Sequence, residues 1–251
     1  MKDSVETIKK TVAEVQGKKN IRTGMTETVE VTVKPDGKPV SFAHGLNFYK
    51  MFWILFIGSF AGVVIETIYC FVTSFELVNR QGLIYGPFNL VYGIGALVIT
   101  VCLYRLAEKN NWWLFFGGAL IGSTFEYMCS WFQETMFGTV SWQYDYTPLN
   151  INGRIDLMHS VFWGVLALFW MRLAYPRLSN LIEKIPNKIG IIVTWILVVF
   201  MIFNTIISGL AVWRMSCRHN DIPASNSIEE FLDEQYPDDL LQKIYPSMVF
   251  V

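Results

Sequence analysis

Gly58-Ser59-Phe60-Ala61-Gly62-Val63-Val64-Ile65-Glu66 and Gly118-Ala119-Leu120-Ile121-Gly122-Ser123-Thr124-Phe125-Glu126 are the two stretches that decide the fold. In each, two glycines and a glutamate recur at a spacing of four, and the second stretch follows the first at an offset of 60 in all three positions. A spacing of four drifts by only about 40° per step around a helix, so each triad shares one face. Glycines at that spacing let a second helix approach closely (Gly58 and Gly62 in one copy, Gly118 and Gly122 in the other). Each glutamate lies one turn beyond the close contact, inside an apolar run. A carboxylate at bilayer depth is costly and marks a functional site by default, so Glu66 and Glu126 are the leading site candidates. The repeat in register predicts that spans 1–2 and 3–4 are parallel copies converging on one polar pocket.

Outward from these triads, the chain has the composition of a polytopic membrane protein. Of its 251 residues 53% are hydrophobic and only 16% charged, which excludes an ordinary soluble domain. A net charge of -1 gives no field for nucleic acid. Five apolar segments are expected to cross the bilayer, at about 48–70, 88–106, 112–132, 155–174 and 189–210. Each is roughly 20 residues long, enough for a spanning helix, and only closed hydrogen bonding survives in lipid. Aromatic residues crowd their ends, among them Tyr49, Trp53, Trp112, Trp113, Trp131, Tyr175 and Trp213. The expected fold is therefore all-α, a polytopic membrane helix bundle of about five transmembrane helices.

Residues 1–45 read as a polar, mobile cytoplasmic tail without a cleavable signal peptide. A short helix is expected at Ser4–Gln16 and a strand at Thr28–Val33. Residues 46–213 form the transmembrane domain, and 214–251 an extracytoplasmic tail. Ser227 with Glu230 predicts a capping box opening a short amphipathic helix there. With the N-terminus inside, only Arg80, Arg154, Arg214, Arg218 and Lys243 of the 20 basic residues fall outside. The positive-inside rule therefore favours N-in and C-out. The four cysteines form no CxxC pair and read as buried free thiols.

The outer loops supply partners for the glutamates. Arg80 lies in Asn79-Arg80-Gln81-Gly82 and Arg154 in Asn152-Gly153-Arg154, and each is a candidate to neutralise a glutamate, within its own repeat or crossed between repeats. Asp156 and His159 share one face at the start of the fourth span. With Glu66 and Glu126 they make a candidate constellation for a divalent metal or a proton relay. Each residue also has a plain structural reading: a helix-dipole aspartate, a hydrogen-bonded core histidine, interhelical glutamates. No HExxH, P-loop, GxSxG or CxxC pattern is present, so no metal, cofactor or catalytic residue is assigned.

The run from about 48 to 176 resembles the type IV ABC-transporter permease family of bacterial membrane proteins, the CmpB-like family. Glu66-Thr67-Ile68-Tyr69, Asn79 through Pro87, Tyr92-Gly93, Glu126-Tyr127 and Asn152-Gly153-Arg154-Ile155 carry the resemblance. A C-terminal stretch, Ile228 to Asp233, is similar to tails in that family. The resemblance implies a bacterial plasma-membrane location and carries over neither substrate nor catalytic residue. Transport is the preferred expectation. The chain lacks a nucleotide-binding motif, so it would need a separate ATPase subunit, and five spans would need a homo-oligomer or another partner to enclose a path. The segment 175–188, with Leu178, Leu181, Ile182 and Ile185, is the expected coupling element. Two alternatives are kept: a membrane-embedded enzyme acting on a lipid-linked or cell-envelope substrate, and a non-catalytic membrane scaffold.

Overall fold

A computed structural model describes residues 40–251. The helix and strand expected within residues 1–39 lie outside the described residues. The rest is helical, with one two-residue strand pair. Asn47 caps the first helix, α1 (Phe48–Ser74), by accepting the amide of Lys50, and Phe75 ends it at φ 58°. Asn89 caps α2 (Leu90–Leu103), which tightens into a 3-10 turn, Tyr104–Glu108. Asn110 caps α3 (Asn111–Phe137), and Gly138 ends it at φ 62°, a conformation glycine adopts without penalty. Asp156 caps α4 (Leu157–Phe169). A π-helical turn, Trp170–Ala174, then joins α4 to α5 (Tyr175–Glu183) without a break. The longest helix is α6 (Asn187–His219), followed by α7 (Ser227–Gln235) and α8 (Asp238–Ile244).

Four helical rods are long and apolar enough to cross a membrane: Phe48–Ser74, Leu90–Glu108, Leu157–Glu183 and Asn187–His219. The chain is thus an all-α membrane bundle. The third expected span, α3, has the same 27-residue length as α1 and packs along α4 and α2. Ser123, Thr124, Glu126, Ser130, Gln133 and Glu134 lower its hydropathy. It is the polar member of the bundle because it carries the site described below.

The glycines sit where the helices touch. A Cβ on Gly58 would lie 3.1 Å from the Cβ of Ala96, and one on Gly62 would run into the ring of Tyr92. In the second hairpin a Cβ on Gly118 would collide with Ala167, and one on Gly122 with the ring of Trp163. Gly93 and Gly164 rest against the carbonyls of Leu55 and Phe115. The α1 and α3 members of these contacts are 60 residues apart, and the α2 and α4 members 71.

Both hairpin connections, 75–89 and 138–156, descend into the bundle. Asn89 donates its amide to the carbonyl of Ser59 (3.1 Å), a residue roughly 22 Å before the end of α1 at the helical rise. The segment 75–89 thus returns deep along α1. Its backbone is satisfied by α6. Tyr85 donates its amide to Asn204 Oδ1 (3.0 Å), and Asn204 Nδ2 returns a bond to the Tyr85 carbonyl (2.7 Å). Ile84 donates to Ser208 Oγ (2.9 Å). Non-helical backbone at such depth persists only when protein supplies its partners. In the second hairpin Ser123 Oγ donates to Ser160 Oγ (2.8 Å), so the segment 138–156 also turns back below the end of α3.

The C-terminal segment closes over these two connections. Val249–Phe250 (β2) pairs antiparallel with Thr139–Val140 (β1). Tyr236 and Tyr85 share a hydroxyl hydrogen bond (2.7 Å), and Asn79 Nδ2 reaches the carbonyl of Lys243 (3.4 Å). Fully buried Arg214 pairs with Asp233 (2.7 Å) and Glu229 (3.2 Å), and Arg218 pairs with Asp233 and Asp238. The capping box of α7 is set one residue earlier than expected. Asn226 accepts the amides of Ile228 and Glu229, and Glu229 folds back onto the amide of Ser225. The carboxylate that closes the box is Glu229, because Asn226 outcompetes Ser227 for the cap.

At the opposite end, the expected coupling element is a continuation of α4. Leu178, Ile182 and Ile185 pack against Phe42, Ala43, Tyr49 and Trp53, which leaves Leu181 exposed. Lys50, fully buried, fixes this end by bonding Glu183 Oε1 (2.7 Å), the carbonyl of Ser179 (3.1 Å) and the Ser179 hydroxyl.

Candidate functional site

Glu126 lies on the face of α3 that Gly118 and Gly122 hold against α4. Because Gly122 has no side chain, the indole of Trp163 lies over it, and the Trp163 Nε1 donates to Glu126 Oε2 at 2.6 Å. From the descending loop, Tyr144 donates its hydroxyl to Glu126 Oε1 at 2.8 Å. Burial, and after it the charge of Glu126, push the Tyr144 hydroxyl pKa well up, so it remains a donor. Both carboxylate oxygens are thus satisfied by neutral groups. Among the described residues no lysine or arginine forms an ion pair with Glu126.

His159 stacks on the Tyr144 ring at 4.1 Å. Asp156 Oδ1 accepts the backbone amide of His159 and meets its Nδ1, both at 2.7 Å. Asp156 is 2% exposed. Burial opposes its charge, but the amide and imidazole of His159 outweigh that and hold the carboxyl below the usual carboxylate range. An ionised Asp156 places the imidazole proton on Nδ1 and leaves Nε2 as an acceptor. Asp156 Oδ2 is buried without a partner among the described residues.

Glu66 has a different setting. Arg80 Nε approaches Glu66 Oε1 at 3.5 Å, the pairing within one repeat. The rest of the guanidinium lies on Cys70 Sγ (3.2 and 3.3 Å) and on Ser247 Oγ (2.9 Å). Arg154 does not neutralise Glu126. It pairs with Glu134 at 2.7 Å and lies over the Tyr127 ring at 5.6 Å. The cause is the turn before it: Asn152 and Gly153 take φ of 53° and 65°, and Ile151 bridges Ile155. That turn brings Arg154 opposite Glu134, two helical turns beyond Glu126.

Of the six candidates, the structure therefore brings Glu126, Asp156 and His159 together, and separately Glu66 and Arg80. No hydrogen bond or ion pair among the described residues joins the two groups. No group of three His, Cys, Asp or Glu side chains among the described residues converges to hold a metal ion. Tyr144 and Trp163 complete the Glu126 site and were not singled out as its partners from the sequence. Trp163 had one available signal: it is the large residue opposite Gly122 in the glycine register.

No curated protein and no solved structure matches this chain. A family model does match, over residues 53–209, which contain α1 from Trp53 onward, α2, α3, α4, α5 and α6 as far as Gly209. On that match, covering well over half of its length, the chain belongs to the family described as Putative ABC-transporter type IV.

Proposed function

We propose that this chain is the permease-like membrane subunit of a transport assembly that a separate ATPase energises, and that Glu126 is the centre of its recognition pocket on the extracytoplasmic side. One observation carries the reading: a carboxylate on a bilayer-length helix is held by two neutral donors, beside an Asp156–His159 pair and with no lysine or arginine among the described residues paired to it. Carboxylates so placed line paths for protons and cationic groups. Loops that descend to membrane depth are a further feature of transporter sites and support the reading. The matched glycine contacts support the two hairpins being copies of one unit, and the distribution of basic residues supports N-in and C-out. The rod Leu157–Glu183 supports coupling, since it runs unbroken for about 40 Å from the pocket to the opposite face.

Gentle native extraction of the tagged full chain tests the proposal. An ATPase should co-purify in stoichiometric amount, and Leu181→Glu with Arg177→Glu should release it. Loss of transport in Glu126→Gln with the ATPase retained would complete the case. Absence of any ATPase from the native complex overturns the proposal. The oriented Asp156–His159 pair favours a second reading, an acid–base enzyme for an envelope substrate. That reading requires chemical conversion of a substrate by the ATPase-free protein, abolished in His159→Gln.

A further inference from the structure

The Glu66 site is independent of the transport reading. Glu126 has a full set of donors, whereas Glu66, its counterpart at offset 60, has only the 3.5 Å approach of Arg80 on one oxygen. The other oxygen, Oε2, is buried with no hydrogen-bond partner among the described residues. Arg80 is also poorly matched: five N–H donors that suit a carboxylate or phosphate meet a thiol, which is a weak acceptor, and one uncharged serine hydroxyl. One acid and one guanidinium leave the site with no net charge. It offers an acceptor for an N–H group a short distance from donors for an oxyanion.

The flank of the site is apolar. Ile65, Ile68, Tyr69 and Val72 stand exposed beside Glu66 on the outer part of α1. An occupant that satisfied Glu66, Arg80 and this stripe at once would carry an ammonium, a phosphate and acyl chains. We propose that Glu66 and Arg80 bind the headgroup of a phospholipid bearing a phosphodiester and a primary ammonium. The Glu66 carboxylate turns to present Oε2 to the ammonium, the phosphate takes the Arg80 donors in place of Cys70 and Ser247, and the chains lie along the α1 stripe. A trimethylated ammonium has no N–H to donate and is disfavoured.

Native mass spectrometry of the full chain in mild detergent tests this, with phosphatidylethanolamine and phosphatidylcholine of identical acyl chains. The wild type should hold the ethanolamine lipid about tenfold more tightly, the scale of one hydrogen bond to a charged group. Glu66→Gln should erase the preference, and Glu134→Gln should keep it. Ser247→Ala, which removes a competitor for Arg80, should tighten the ethanolamine lipid and covers the case in which Glu66→Gln fails to fold. Equal binding of the two lipids by the wild type, a preference that survives Glu66→Gln, or a preference lost in Ser247→Ala overturns the proposal. Soluble phosphoethanolamine should not displace the lipid at equal concentration, and displacement overturns the lipid as occupant.

Discussion

A side chain added to Gly118 meets no flexible neighbour that can turn aside. The Cβ would collide with the methyl of Ala167 and lie 3.3 Å from the carbonyl of Trp163, so the two helices would have to separate. Gly118→Val should lower stability by roughly 1–3 kcal/mol, as overpacking does, in a detergent melt. Gly209→Ala, with nothing within 4 Å of the added carbon, should leave the melt unchanged or raise it slightly. At Glu126 the argument is about donors. An amide in place of the carboxylate turns one acceptor into a donor facing Trp163 Nε1–H or the Tyr144 hydroxyl. Glu126→Gln should therefore destabilise the protein by about 1–3 kcal/mol, whereas Glu126→Gln combined with Trp163→Phe should recover part of the loss. The glycine faces were legible in the sequence because their spacing is a local property of one helix. The partners of Glu126 were not, because Trp163 lies 37 residues away and an indole inside an apolar run reads as packing.

Between elements, two ion-pair groups can be separated by experiment. Lys50 is fully buried and its carboxylate partner is Glu183. Lys50→Met alone should cost about 3 kcal/mol by stranding that carboxylate, and Lys50→Met with Glu183→Met should cost less than the single change, in a double-mutant cycle on the melting transition. At the other end, bonds from Arg214 and then Arg218 hold the Asp233 carboxyl below its usual range, and the Ser225 amide does the same for Glu229. A depressed carboxylate adds stability above its ordinary pKa, and that stability is lost as pH falls through the lowered one. Protection of α7 and α8 against hydrogen exchange, relative to the intrinsic rate at each pH, should thus be high at neutral pH and fall below the carboxylate range ahead of α1 and α3. Uniform loss of protection in all the helices would argue against a locally held cap. The sequence showed that a capped helix stands near residue 227, but the choice between Asn226 and Ser227 depends on how Glu229 folds back, which spacing alone does not decide.

Over the whole chain, hydropathy marked the four strongly apolar rods and the polar α3, because transfer free energy sums over a segment and is insensitive to neighbours. It did not mark that 175–183 continues α4, since a helix crossing from lipid to an interface changes composition without changing backbone. The depth of the outer loops was equally hidden, as it rests on Asn204 and Ser208 of α6. Orientation is open to direct measurement. With the N-terminus inside, Ser225→Cys should react with a membrane-impermeant thiol reagent on intact cells, and Lys109→Cys only after permeabilisation; both positions are exposed. The reverse pattern would invert the assignment.

The bond pair between Tyr85 and Asn204 also bears on biogenesis. Tyr85 lies in the first hairpin, and its two backbone groups meet a side chain that is synthesised 119 residues later. Until α6 enters the bilayer, the segment 75–89 has no partner for those groups at depth and should wait near the headgroups, where water can solvate it. Nascent chains arrested before Asn204 emerges should leave this loop open to protease from outside, and longer ones should close it. The last long helix is then the step that seats the first loop, and Asn204→Leu should stall assembly at that point while every helix is already inserted.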